Sequence, residues 1–286
     1  MNELFSNEPN ELKFYCRVKT ALIDPDETPV AKLIVNEVEK DLPVRRVTQG
    51  VYAVPVNNSD IQTKNASVEF NYSLPDYGDI VDSQSFEIAR RLVSYDEMQE
   101  VLSPDLTYND YSEVERTVRG IVEAHCRQSF NYWYGTNTAI GNDGIILLPQ
   151  HLDRLEYVEK KLSAIDSYHI SFSDDGYEVT ADGMAIQNIE CLEQQKYMQA
   201  KARQSDYLIR GQWGYKSVPT PVKQAAALIV QNKLCPSGSW HENYIDNLRS
   251  DNMRVQFNPS SYDDSTGVYD ADQLLSMYRN MTLGAI

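Results

Sequence analysis

Between Leu12 and Leu92 apolar side chains recur mostly every second residue, in short stretches: Phe14-Tyr15-Cys16-Arg17-Val18, Ala31-Lys32-Leu33-Ile34-Val35, Gly50 to Val56, Ala66 to Tyr72 and Gln84 to Ile88. Turn formers separate them, among them Asp24-Pro25-Asp26-Glu27-Thr28-Pro29 and Pro75-Asp76-Tyr77-Gly78-Asp79. Alternation at period two gives a strand one apolar face, and five or more such strands at this spacing predict a β-sandwich over 12–92, preceded by a tail at 1–11.

After Leu92 the period lengthens to about 3.6, the helical value. Ser94-Tyr95-Asp96-Glu97 reads as a capping box, which predicts a short helix through Leu102, with Pro104 just beyond it. A second helix is predicted from Asp110 to Gln128, with Val114, Val118, Ile121, Val122 and Cys126 as its buried stripe and Gly120 marking a close packing contact. The aromatic run Phe130-Asn131-Tyr132-Trp133-Tyr134 then leads into an expected loop from Gly135 to Gly144. Strand patterns follow at Ile145 to Leu148, Arg154 to Val158, Tyr168 to Phe172 and Tyr177 to Ala181, the last two read as a hairpin turned by Asp174-Asp175-Gly176. Asn188 to Gln204 fits either a helix or an exposed loop, and Tyr207 to Tyr215 is a strand ending in a glycine turn.

The best-marked helix comes next. Thr220 is expected to cap it with Pro221 at the first helical position, Val222, Ala225, Ala226, Ile229 and Val230 form its apolar stripe, and Pro236 follows. A last helix from about Asp270 should bury Leu274, Leu275 and Tyr278, followed by the apolar run Met281 to Ile286. The change of period at 92/93 therefore divides the chain into 12–92 and 93–286 and sets the fold class as α+β. With 286 residues, each part is long enough for its own core.

Charge narrows the function. The net charge is −16, with 10 basic and 15 acidic residues up to Leu92 and 16 and 27 after it. A protein that grips duplex DNA neutralises phosphates with a Lys/Arg face, so tight DNA binding is disfavoured; acidic walls suit a channel through which DNA slides, or simply a soluble surface. No apolar run, Gly144 to Leu148 among them, is long enough to span a bilayer, and the first residues lack a basic region followed by an apolar stretch, so folding in the cytoplasm is expected. Cys16, Cys126, Cys191 and Cys235 lie far apart with no C-x-x-C pair and read as buried thiols. N-x-S/T triplets at Asn57, Asn65, Asn71 and Asn280 carry no glycosylation meaning without a secretory signal.

Nothing in the sequence brings titratable groups together for catalysis. His125 falls on the buried side of a helix, and His151, His169 and His241 are isolated from Ser, Cys or paired carboxylates in any catalytic spacing. The G-x-S-x-G, H-E-x-x-H, P-loop and G-x-G-x-x-G motifs are absent. Asp24, Asp26 and Glu27, and the pairs Asp174-Asp175 and Asp263-Asp264, sit in turns where acids bond their own backbone, and they lack the twelve-residue calcium-loop pattern. The expectation is a non-enzymatic protein with no catalytic residues, cofactor or metal.

Two resemblances sharpen this. The strand, Asp-Pro-Asp turn, Gly50-Val51-Tyr52 strand and Val68-Glu69-Phe70-Asn71-Tyr72 strand resemble immunoglobulin-like or fibronectin-like modules. From Val93 onward, the capped short helix, the long helix ending Cys126-Arg127-Gln128-Ser129-Phe130, the Gly211-Gln212-Trp213-Gly214-Tyr215 segment and Val218-Pro219-Thr220-Pro221-Val222-Lys223-Gln224-Ala225 resemble the head-to-tail adaptor proteins of tailed bacteriophages. The N-terminal sandwich is absent from minimal members of that family. The resemblance implies a helical core with a β-rich insert, assembled as a closed ring of twelve copies between the portal and the tail or tail completion proteins. DNA would pass through the ring without tight binding, and the protein would reside in the virion neck after synthesis in the host cytoplasm. Trp213, Tyr215, Leu274, Tyr278, Leu283 and Ile286 are the expected contact residues for the ring or the portal. Trp213 and Tyr215 flank Gly214 just before a helix, which also suits a purely structural role in covering the helix start. A carbohydrate- or surface-binding adhesion module, favoured by the sandwich and the 19 tyrosines, is the second reading, and an unrecognised hydrolase the third.

Overall fold

The structure, a computed structural model, describes residues 2–99, 106–141, 144–161, 167–170, 177–188, 205–234, 247–250, 253–256 and 265–280. The fold is α+β with several sheets. Its residues divide into two compact units, Met1–Arg90 with Asn131–Gly135, and Arg91–Phe130 with Thr136–Ile286. The expected helix as far as Leu102, the Asp174-Asp175-Gly176 turn, the stretch Asn188 to Gln204, Cys191, Cys235, His241, Asp263-Asp264, Leu283 and Ile286 lie wholly or partly outside the described residues.

In the first unit the strands are β1 (Asn2–Phe5), β2 (Asn10–Tyr15), β3 (Arg17–Val18), β4 (Ala21–Leu22), β5 (Val30–Val35), β6 (Val38–Leu42), β7 (Arg45–Thr48), β8 (Val51–Val56), β9 (Asn65–Leu74) and β10 (Gly78–Ala89). One sheet runs β1-β10-β9-β5-β6 and a second β2-β8-β7. Both contribute to a single core, in which Phe14 of β2 stacks on Phe70 of β9 with ring centres 4.5 Å apart and planes 8° apart. Period-two burial along β9, with Ala66, Val68 and Phe70 inward, is the alternation the sequence displays.

The first residues depart from the expected tail at 1–11. Asn2–Phe5 pairs in parallel with Phe86–Ala89 of β10, and Leu4 is fully buried. Asn10 closes the intervening turn: its side chain accepts from the Phe5 N–H and donates to the carbonyls of Phe5 and Glu8. A four-residue strand with one inward leucine is too short to show alternation in sequence, and its partner lies about 80 residues further along the chain. Asp24 is also committed. Its carboxylate accepts the Gly50 N–H at 2.9 Å and the Arg46 guanidinium at 2.6 and 3.1 Å, which hold it below the usual carboxylate range.

The second unit holds α1 (Tyr95–Gln99), α2 (Tyr108–Cys126), β11 (Trp133–Gly141, its first three residues in the first unit), β12 (Ile145–Leu147), β13 (Leu152–Lys161), β14 (Ser167–Ile170), β15 (Tyr177–Val179), β16 (Ala185–Asn188), β17 (Ser205–Trp213), α3 (Thr220–Leu234), the hairpin β18 (Asn247–Ser250) and β19 (Met253–Gln256), and α4 (Tyr269–Leu275), which continues into a 3-10 turn at Ser276–Tyr278. Helices α1 to α4 close one core through Met98, Val118, Val122, Cys126, Val222, Ala225, Ala226, Ile229, Val230, Ala271 and Leu275. A seven-stranded sheet, β14-β13-β17-β11-β12-β16-β15, is formed by the chain between α2 and α3.

Several expectations change here. Gly135 to Gly141 is strand rather than loop. The two strands expected to form the Asp174-Gly176 hairpin lie at opposite edges of the sheet, β14 pairing with β13 and β15 with β16. Turn chemistry is a local signal, and here the longer-range partners win. Gly120 is exposed, with open space where a Cβ would stand, so it marks no packing contact. Thr107 caps α2, accepting from the Asp110 N–H. Pro219 supplies the first carbonyl of α3, bonded by the Lys223 N–H, which places Thr220 and Pro221 one position further into the helix than expected. The Ser94/Glu97 capping box forms in both directions, at 3.2 and 2.9 Å. Among the described residues no helix is long and apolar enough to cross a membrane.

Candidate functional site

The expected contact residues fall into three environments. Trp213, at the end of β17, has no exposed surface, so its indole belongs to this chain's interior rather than to a contact surface. Gly214 follows at φ +84°, a conformation in which a side chain is strained, and donates its N–H to the His151 carbonyl at 2.7 Å. That turn carries Tyr215 away from the sheet.

Tyr215 and Tyr278, 63 positions apart in sequence, are brought together on one aromatic cluster. Tyr215 lies between His151 and Phe130, stacked on the imidazole at 4.0 Å and on the phenyl ring at 5.7 Å, while Tyr278 sets its edge against both Tyr215 and Phe130. Burial pushes the Tyr215 hydroxyl up to about 12, so it stays neutral. Two buried amides lock the segment bearing Tyr278. Gln128 donates to the Tyr278 carbonyl and its side-chain oxygen accepts the His151 N–H, and Asn280 bonds the carbonyls of Cys126 and Leu148 through its backbone and side-chain nitrogens. Around this cluster is a pocket of about 370 Å³, lined by His151, Asp182, Met184, Tyr215, Tyr278 and Arg279 among others.

Leu274 lies elsewhere. It lines an apolar groove of about 580 Å³ along α3, with Val93, Met98, Ala227 and Leu228 as its other apolar walls. The Lys223–Glu97 ion pair, at 3.2 Å, borders the groove and is exposed. Leu283 and Ile286 are outside the described residues.

Sequence reasoning missed His151, Gln128, Asn280 and Asp182. His151 looks isolated because its neighbours come from positions 128, 183, 214 and 215, and no spacing rule joins them. The buried pair Glu115 and Arg119 on α2, with Glu115 accepting the Leu92 N–H at 3.1 Å, was likewise hidden in a helix read only for apolar periodicity. Cys16 and Cys126 are buried free thiols pushed up to about 11 and about 12 by burial. Among the described residues no three His, Cys, Asp or Glu side chains are grouped to hold a metal ion. No known family model and no curated protein sequence matches the chain.

Proposed function

We propose that this chain is a structural, non-enzymatic virion protein: a ring-forming adaptor that joins a phage portal to its tail and carries an immunoglobulin-like module at its N-terminus. The observation that carries the reading is one core shared by α1 to α4, with a seven-stranded sheet contributed by the chain between α2 and α3, an arrangement compatible with the helical core and β insert that the resemblance implies.

The strand order of the first unit supports the module. β10-β9-β5-β6 follows the G-F-C-C′ order of a variable-type immunoglobulin sheet, and β2-β8-β7 follows the B-E-D order of its partner. Phe14 and Phe70 stack on the B and F strands, which antibody domains join by a disulfide. In this reading the ring contacts include the apolar groove along α3, with DNA passing through a lumen of acidic chains. Co-sedimentation of the purified protein with its portal tests the proposal. Stoichiometric binding to portal rings is the expected result; a chain that stays monomeric, ignores the portal and instead retains glycans would replace it with the adhesion reading.

A further inference from the structure

The groove along α3 has walls of one chemical kind. Val93, Met98, Ala227, Leu228 and Leu274 supply its apolar surface, the two charges on its border, Lys223 and Glu97, pair with each other at 3.2 Å, and its remaining lining residues are neutral. Such walls call for an apolar, uncharged occupant, because a charge carried into the groove sheds water and meets no counter-ion there. Of the stretches of six residues or more outside the described residues, 281–286 alone has no Asp, Glu, Lys or Arg, and it carries Met281, Leu283 and Ile286. At the root of this run Met277 is 77% exposed, the most of any large apolar side chain described, while Asn280 is buried and fixed by its bonds to the Cys126 and Leu148 carbonyls.

We propose that residues 281–286 of one copy lie in the groove between α1 and α3 of the next copy around the ring, with Leu283 and Ile286 as anchors. The inference rests on the ring-forming reading above and names the contact that links neighbours in it. Reach separates this arrangement from a run folded back on its own chain. The root and the Val93 wall stand toward opposite ends of α2: Asn280 bonds the Cys126 carbonyl, whereas the Val93 carbonyl accepts the Tyr111 hydroxyl at 2.6 Å and the Leu92 N–H bonds Glu115. Along the helix axis Glu115 and Tyr111 are about 16 and about 22 Å from Cys126. Six residues fully extended span about 20–22 Å, so the run of the same chain would be drawn nearly taut to set Ile286 against Val93 and could not settle into the groove. The pocket at the root, lined by Met277 and Asn280, shares no residue with the groove, so each copy offers two different surfaces, as a head-to-tail contact that closes into a ring requires.

The test has two arms. In the first, a fluorescent peptide of residues 281–286 is titrated with the full chain and followed by polarisation. It should bind saturably, and both Leu228→Glu in the groove and Leu283→Asp in the peptide should weaken it at least about tenfold. The peptide substitution leaves the protein untouched, so this arm decides even where Leu228→Glu disturbs the helix. Affinity unchanged by Leu283→Asp overturns the assignment. In the second arm, full-length Leu228→Glu and Leu283→Asp chains are sedimented alone and mixed, at concentrations above the peptide Kd. Each alone should stay monomeric, and the mixture should form one-to-one pairs, because a mixed pair restores one intact contact and no more. A mixture that stays monomeric overturns the docking, and wild-type rings on the portal would then leave the ring reading intact. Mixed pairs without wild-type rings uphold the docking and sink the ring reading.

Discussion

Cys16 and Cys126 illustrate how burial controls chemistry at single residues. With their thiols pushed up to about 11 and about 12, almost none of either side chain is thiolate near neutral pH, and neither sulfur is exposed. Mass mapping after iodoacetamide treatment of the native protein should find both unmodified, and both labelled once the chain is denatured; labelling of either in the native state contradicts their placement. Gln128 ties two segments of the aromatic cluster together. Its amide bonds the Tyr278 carbonyl and the His151 N–H while only 6% exposed, so Gln128→Ala leaves a buried donor and acceptor unpaired. Denaturant unfolding should show a loss of about 1–3 kcal/mol, and a neutral result would mean that water enters freely there.

At the scale of elements, what could be read in advance was what depends on neighbours in sequence. The capping box at Ser94 and the apolar stripe Val222, Ala225, Ala226, Ile229 and Val230 follow from spacing alone, and both are present. Strand partnership was not legible, because a period of two says which face a residue occupies but not which strand lies beside it. Hence β1 escaped notice and the expected β14–β15 hairpin did not form. Of the candidate site, Tyr215, Leu274 and Tyr278 were singled out, yet the partners that give Tyr215 and Tyr278 a chemical setting come from four separate segments. The capping box also makes a pH prediction. Glu97 is held below the usual carboxylate range, first by the Ser94 N–H and then by Lys223. A depressed value means its contribution is present above the unfolded value of about 4.3 and is lost as pH falls through the lower folded value. With the ion pair half exposed, the wild type should exceed Glu97→Gln by on the order of 0.5 kcal/mol near pH 7, and thermal melts should show the difference vanish toward pH 3. A gap that persists in acid would point to packing instead of charge.

For the whole molecule, the division into two units is not a single cut in the chain. Asn131–Gly135 returns to the first unit, where the Tyr134 N–H bonds the Gln62 carbonyl, Asn131 bonds the Ile88 carbonyl, and the Lys64 ammonium stands 4.1 Å over the buried Trp133 ring. A fragment of residues 93–286 retains nearly all of the helical core and should melt cooperatively, but it strips Trp133 of these neighbours, so part of its tryptophan fluorescence should shift to the red. A fragment with no cooperative melt would show that the core of the second unit depends on the first.

In the proposed function, copies of this chain close into a ring on a portal. Head-to-tail contacts that close give cyclic symmetry, whereas an adhesion module has no need of it. Electron microscopy of the purified protein, alone and mixed with its portal, tests this most directly. Class averages with a closed rotational symmetry of twelve and a central channel, stacked coaxially on the portal, are the predicted result. Particles that remain single chains under both conditions, with no density added to the portal, would contradict it.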